Sequence, residues 1–170
     1  MVIALHQDFL ITQEKLYNRP HCICASVAPE AESGEYGACA FELNDFKVRF
    51  RVAKITPTKI GQFVTLWKRI GKGPTQPYDA LDEVDFFVIS VRDGNNFGQF
   101  VFPKSVLIEK NIFSKNGKGG KRGIRVYPSW DTALNAQAQK TQQWQLNYFL
   151  EIPDQKFIDY EHADKLYLSS

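Results

Sequence analysis

The alternation of apolar and polar residues along the chain predicts two β-hairpins. Residues 46–55 (FKVRFRVAKI) have the period of a strand with one buried face, and residues 38–43 precede them across a two-residue Asn-Asp turn. Residues 84–91 and 96–103 form a similar pair around a glycine-bearing turn. The polar side of the strand at 46–55 is expected to be an exposed basic face, which carries Lys47, Arg49 and Arg51.

Helical spacing of apolar residues predicts the remaining elements. Residues 5–18 form an amphipathic helix, and residues 56–70 form a second one that begins with a threonine cap and a first-turn proline. A short helix over residues 105–112 precedes a strand at 124–130, and Asp131 caps a last helix that ends near residue 150. The positions that the second helix is expected to bury are Ile60, Phe63, Val64 and Trp67.

Strands and helices without strict alternation are typical of an α/β or α+β protein with a single mixed sheet flanked by helices. A length of 170 residues, 44% of them hydrophobic, suits one domain. We expect an N-terminal helix within residues 1–20, a core over about 35–152 and a C-terminal tail at 153–170. The chain has no apolar run near 18 residues and no signal-peptide pattern at its start, so we expect a cytoplasmic protein without a membrane segment.

The charges are unevenly distributed along the sequence. Residues 46–78 and 110–130 contain 14 of the 21 lysines and arginines and no acidic residue. A surface of one sign concentrates anions, which favours a nucleic acid or a nucleotide as ligand. The alternative is that the acidic windows 79–93 and 151–164 neutralise these faces. The three cysteines, Cys22, Cys24 and Cys39, are expected to be reduced thiols, and we expect neither a metal nor a cofactor.

Lys54 lies at the end of its predicted strand, on the apolar side. Some nucleases place a lysine there, two residues after a carboxylate that holds a divalent ion. Val52 occupies that carboxylate position, so Glu35, Glu42 or Asp45 would have to supply the acid. Three interpretations of Lys54 stay open: a hydrolytic site that uses Mg²⁺, an anion-binding site of similar geometry, and a structural lysine.

Four ordered blocks of sequence resemble the MepB family, small bacterial proteins named for a gene beside a multidrug-efflux transporter. The blocks are RVAKITPTKIGQFVTLWKR, FGQFVFPKSVL, GKRGIRVYPSWD and QAQKTQQWQ. The resemblance implies a restriction-endonuclease-like fold and carries no activity to this chain. The polar positions of the family pattern fall on Glu35, Tyr36, Arg51, Lys54, Thr56, Lys59, Gln62, Lys104, Lys121, Arg122, Arg125, Gln142 and Gln145.

The leading hypothesis is a module on a nuclease-like core that binds nucleic acid or another phosphate ligand. Its expected ligand-binding residues are Arg51, Lys54 and Lys59 at the centre, Lys121, Arg122 and Arg125 at the side, and Gln62, Lys104 and Gln142. A metal-dependent phosphodiesterase is the second hypothesis, with Lys54 as catalytic lysine and Glu35 or Glu42 as ligand. The third is a protein-interaction partner in a drug-response operon. Its partner is not indicated by the sequence.

Overall fold

The structure is a computed structural model that describes residues 4–168. Its helices are α1 Gln7–Thr12, which continues as a π-helical turn over Gln13–Tyr17, α2 Lys104–Glu109, α3 Ala136–Gln145 and α4 Tyr160–Leu168. Short 3₁₀ turns span Gly34–Tyr36 and Leu146–Tyr148. The strands are β1 Cys24–Pro29, β2 Cys39–Leu43, β3 Phe46–Val52, β4 Lys54–Ile55, β5 Gln62–Thr65, β6 Trp67–Arg69, β7 Thr75–Pro77, β8 Phe86–Asp93, β9 Asn96–Pro103, β10 Gly123–Val126 and β11 Phe149–Glu151.

A six-stranded mixed sheet forms the centre of the protein. Its strand order is β1-β2-β3-β8-β9-β11, and β3 and β8 run parallel while the other neighbours are antiparallel. A smaller sheet has the order β10-β5-β4, and β6 and β7 form a two-stranded ribbon. The predicted mixed sheet flanked by helices is confirmed. No helix within residues 4–168 is long and apolar enough to cross a bilayer.

The two faces of the large sheet bury separate apolar clusters. On β8, Phe86 and Val88 point into the first cluster, while Phe87 and Ile89 point into the second, as strand alternation requires. Residues of α1 and α4 complete the first cluster. Residues of β5, β10 and α2 complete the second. Residues 160–168, which were predicted as part of a C-terminal tail, therefore pack into the core. The first residues of the predicted N-terminal segment, 1–3, and the last residues of the predicted tail, 169–170, lie outside the described residues.

Both predicted hairpins are present. Asn44 and Asp45 turn β2 into β3 with φ values of 49° and 69°, the left-handed conformation that a two-residue hairpin turn requires. β8 and β9 pair along their full length around a turn at Gly94. The strand predicted over residues 46–55 ends at Val52, and Lys54 belongs to β4 in the small sheet.

The helix predicted over residues 56–70 is wrong, because this segment forms β5 and β6. β5 pairs with β10, about sixty residues further along the chain, and a pairing at that distance leaves no local sequence signal. The turn before β5 requires Gly61, whose φ is +85° and whose added Cβ would lie 2.8 Å from the Tyr127 ring. Val64 and Leu66 are buried with a period of two.

The predicted ends of the other helices also need correction. Asp131 does not cap the last helix, because α3 begins later and Asn135 accepts a hydrogen bond from the Ala138 amide at 2.8 Å. The short helix predicted from Ser105 begins at Lys104, with Pro103 in the cap position. The N-terminal helix is confirmed, and its cap is His6, which accepts a hydrogen bond from the Asp8 amide.

Two adjacent positions on the corrected segment give a stability test. Leu66 is 1% exposed and lies in the second cluster, so Leu66→Ala is expected to lower the free energy of unfolding by about 2–5 kcal/mol. Trp67 is only half-buried and its ring lies against the Arg69 guanidinium at 5.6 Å, so Trp67→Ala is expected to cost less. Denaturant unfolding measures both, and a larger loss for Trp67→Ala would contradict the strand assignment.

Candidate anion-binding cleft

Nearby carboxylates neutralise most of the first basic window. Six of its eight cations form salt bridges, with partners in residues 30–35 and 82–83. The pairs are Lys47–Glu83, Arg49–Glu30, Arg51–Glu30, Lys54–Glu35, Lys68–Asp82 and Arg69–Glu32. Within the described part of the chain, none of the six cations in 110–130 forms a salt bridge. Unpaired positive charge is thus concentrated in the second window.

The expectation that Arg51 belongs to an exposed basic face is wrong. Its side chain is 1% exposed, because this side of β3 faces the second apolar cluster. Glu30 pairs with Arg51 and with Arg49, which is one-third exposed. The Arg51 guanidinium also donates to the Phe50 carbonyl at 3.1 Å and lies 5.1 Å from the centre of the Phe87 ring. Arg51 is therefore part of a covered ion cluster and is not accessible to a ligand in this conformation.

Of the residues of the hypothetical hydrolytic site, Lys54 and Glu35 lie near the end of β3, whereas Glu42 lies near its beginning. The Lys54 ammonium is 3.5 Å from the Glu35 carboxylate and 4.7 Å from the centre of the Tyr36 ring. Glu42 lies on β2 directly opposite Lys47. Among residues 4–168, no group of three or more His, Cys, Asp or Glu side chains is placed to hold a metal ion.

Three of the predicted ligand-binding residues have internal hydrogen-bond partners. Gln62 is 1% exposed and donates to the Arg92 carbonyl at 3.2 Å. The Lys104 ammonium donates to the Asp82 carbonyl. The Gln142 amide donates to the Pro128 and Asp131 carbonyls at 2.9 and 2.8 Å and so holds the loop before α3. Each of these side chains stabilises a loop or a strand end.

An open cleft of about 830 Å³ lies between the small sheet and α3. Four cations line it: Lys59, Lys110, Lys121 and Arg125. The described residues that line the cleft include no Asp or Glu. Within residues 4–168 none of the four cations forms a salt bridge, so the cleft combines positive charge with concave walls, an arrangement that attracts anions.

The strand β10 forms the base of the cleft and is held in place from both sides. One edge of β10 forms backbone hydrogen bonds with β5. On the other side, the Gln145 side chain of α3 donates to the Arg125 carbonyl at 3.0 Å and accepts from the Tyr127 amide at 2.9 Å. The Arg125 guanidinium donates to the Ile60 and Gly61 carbonyls at 3.3 and 3.2 Å through a single nitrogen. Its other nitrogens remain available for a bidentate contact with a phosphate.

The walls of the cleft contain three aromatic side chains, Phe63, Tyr127 and Trp144. The Lys110 ammonium lies 5.3 Å from the centre of a Trp144 ring, a cation–π distance. Sequence reasoning missed Lys110 and these aromatic residues as site residues. The basic window at 110–130 includes Lys110, but only the fold shows that the end of α2 lies beside α3.

Of the predicted ligand-binding residues, the structure brings Lys59, Lys121 and Arg125 together. Lys59 comes from the first basic window and the other two from the second, so Lys59 is the one cation of the first window that lines this cleft among the described residues. Arg122 lies just outside, where its guanidinium donates to the Thr75 carbonyl at 3.2 Å. Arg51, Lys54, Gln62, Lys104 and Gln142 do not line the cleft.

The sequence matches the model of the MepB-like family over residues 30–151, which is most of the chain. The chain belongs to the MepB-like family. Its fold is similar to the crystal structure of MepB, with a TM-score of 0.76 and 32% identity over 90% of this chain and all of that one. A bacterial homing endonuclease also aligns, with 17% identity, 82% of this chain and 85% of that chain covered, and a TM-score of 0.46. No curated protein matches in sequence. The MepB-like match includes all four cations of the cleft.

Proposed function

We propose that this MepB-like protein is a cytoplasmic binding module for phosphate-bearing ligands of the nucleic-acid class. The single observation that carries the proposal is the cleft, in which four cations that form no salt bridge with any described residue line one concave surface. A phosphate ligand can supply the negative charge that pairs with these cations, since charge-assisted hydrogen bonds to Lys and Arg are the usual way in which proteins hold phosphates.

The chemistry of the walls favours a nucleotide or a nucleic acid over inorganic phosphate. A cleft of about 830 Å³ is larger than a single phosphate needs. Its aromatic residues supply apolar surface beside the cations, and bases stack on such rings. Mixed aromatic and basic surfaces of this kind suit a ligand that carries both a base and a phosphate.

Salt-dependent binding tests the proposal. Fluorescence anisotropy with labelled single-stranded DNA and RNA is expected to show affinity that falls with salt, because each phosphate contact releases condensed counterions. Four contacts give a slope of log K against log salt of about −3, at about −0.7 per contact. Absence of binding at low salt to single-stranded DNA, RNA and nucleotides would contradict the proposal. Cleavage of the bound strand on addition of Mg²⁺ would favour the phosphodiesterase hypothesis instead.

A further inference from the structure

The glycine-rich loop (residues 114–122) leaves the cleft at Lys121 and is anchored by one carboxylate. Asp79 accepts hydrogen bonds from the Ser114 hydroxyl at 2.7 Å and from the Gly117 amide at 3.0 Å. These bonds, together with one from the Leu81 amide, lower the pKa of the Asp79 carboxyl to about 2, so that it is ionised at neutral pH. The carboxylate holds the two ends of the loop's first turn.

The second half of the loop is packed closely against the body of the protein. The Asn111 side-chain oxygen accepts a hydrogen bond from the Gly120 amide at 3.2 Å. Gly120 has φ +85°, and a Cβ added to it would lie 2.7 Å from Pro77. Lys115 and Lys118 bridge the loop through two backbone hydrogen bonds of 3.0 Å. The loop therefore has a defined shape, although it contains three glycines.

This shape presents the lysine side chains of the loop to solvent. Lys115, Lys118 and Lys121 are all exposed, and none of them forms a salt bridge within residues 4–168. Lys121 also lines the cleft. Exposed positive charge thus continues along the loop from Lys121, which lines the cleft, to Lys118 and Lys115, which lie outside the cleft lining.

We propose that the cleft and the glycine-rich loop together form one extended binding surface for a nucleic-acid strand, in which the loop lysines contact phosphates beyond those held in the cleft. The inference rests on the proposed function of the cleft and extends it from a phosphate ligand to a polymer. A mononucleotide reaches only the cleft, whereas a strand carries a phosphate at every nucleotide and reaches both parts.

Ligands of different length test the contributions of the cleft and of the loop separately. We expect affinity to rise from a mononucleotide to single strands of about 4–16 nucleotides, the span of common single-strand sites. Lys115→Ala with Lys118→Ala is expected to lower the affinity for the longer strands about 10-fold at low salt and to reduce the salt slope by about 1–2. Mononucleotide affinity is expected to stay unchanged. Equal strand affinities of parent and double variant would overturn the inference and leave the cleft proposal intact, whereas no binding of any ligand would contradict both.

Removal of the anchor tests whether the shape of the loop matters as well as its charge. Asp79→Ala removes a negative charge, which by itself strengthens anion binding, but it also releases Ser114 and Gly117. We expect strand affinity to fall several-fold. The matched control is Glu109→Ala, which removes the same charge from the exposed end of α2 beside Lys110 and is expected to leave affinity unchanged or raise it. A rise in strand affinity for Asp79→Ala equal to that of the control would overturn the role of the held loop. Melting temperatures verify that both variants fold.

Discussion

Glu30→Ala is expected to lower the free energy of unfolding by about 3–5 kcal/mol, the usual cost of leaving a buried charge without its partner. Glu30 pairs with Arg49 and with Arg51, and the Arg51 side chain is 1% exposed. Without the carboxylate, the Arg51 guanidinium keeps the Phe50 carbonyl and the Phe87 ring as neighbours but loses its counter-charge. Urea unfolding followed by circular dichroism measures the loss.

Glu35→Ala is the matched control for this prediction. It removes the same side chain from the same loop, but Glu35 is 71% exposed and its pair with Lys54 is 3.5 Å long. Exposed pairs of this kind contribute less than about 1 kcal/mol. Equal losses for the two variants would show that the Glu30 cluster is not desolvated.

A double replacement tests why Glu30→Ala loses stability: because the attraction within the ion pair is lost, or because the Arg51 charge is left buried without a partner. In Glu30→Leu with Arg51→Met, both buried charges are removed together, and apolar replacement of buried ion pairs is often neutral. We expect the double variant to be more stable than Glu30→Ala alone. A double variant that loses the sum of the two single effects would show that Glu30 and Arg51 contribute independently, and would contradict the explanation by a stranded charge.

Reversal of two charges in the cleft is expected to produce the largest change in binding. Lys59→Glu with Lys121→Glu replaces two attractive contacts by two repulsive ones, so strand affinity at low salt is expected to fall about 100-fold or more. The salt slope is expected to decrease by about 1–2, since two contacts are lost. Both lysines are exposed, so folding is expected to be little affected. Anisotropy titrations across a salt series measure both quantities.

The matched control reverses two exposed lysines that do not line the cleft. Lys156 lies in the loop before α4 and Lys165 lies on α4, which packs on the first apolar cluster. Lys156→Glu with Lys165→Glu changes the net charge of the protein by the same amount. If this control weakens binding as much as the cleft variant does, net charge explains the affinity and the cleft does not.

Local sequence predicted two hairpins correctly, but it predicted a helix wrongly at residues 56–70. The hairpins depend on alternation and on turn residues such as Asn44, which are adjacent in sequence. In contrast, the positions of Phe63 and Val64 fit both a helix and a strand. What decides between them is the pairing of β5 with β10, which brings together residues distant in sequence.

The candidate site shows the same division between local and distant information. Carboxylates pair with most of the first charge window, whereas Lys59, Lys121 and Arg125, predicted from sequence as ligand-binding residues, line one cleft, and their role in binding stays a prediction. The pattern at 46–52 did not reveal that Arg51 is covered, because the carboxylate that pairs with it comes from residue 30 in a different part of the chain. Cations counted in a sequence can bind a ligand only where the fold leaves them exposed and without a carboxylate partner.

The Gln145 side chain has a consequence for self-association. β10 is an edge strand of the small sheet, and an edge strand offers its backbone groups to the strands of other molecules. Gln145 occupies the outward carbonyl of Arg125 and the outward amide of Tyr127, much as a neighbouring peptide group would. A helix side chain thereby protects the sheet from edge-to-edge aggregation, and it does so directly beneath the surface that carries the cations.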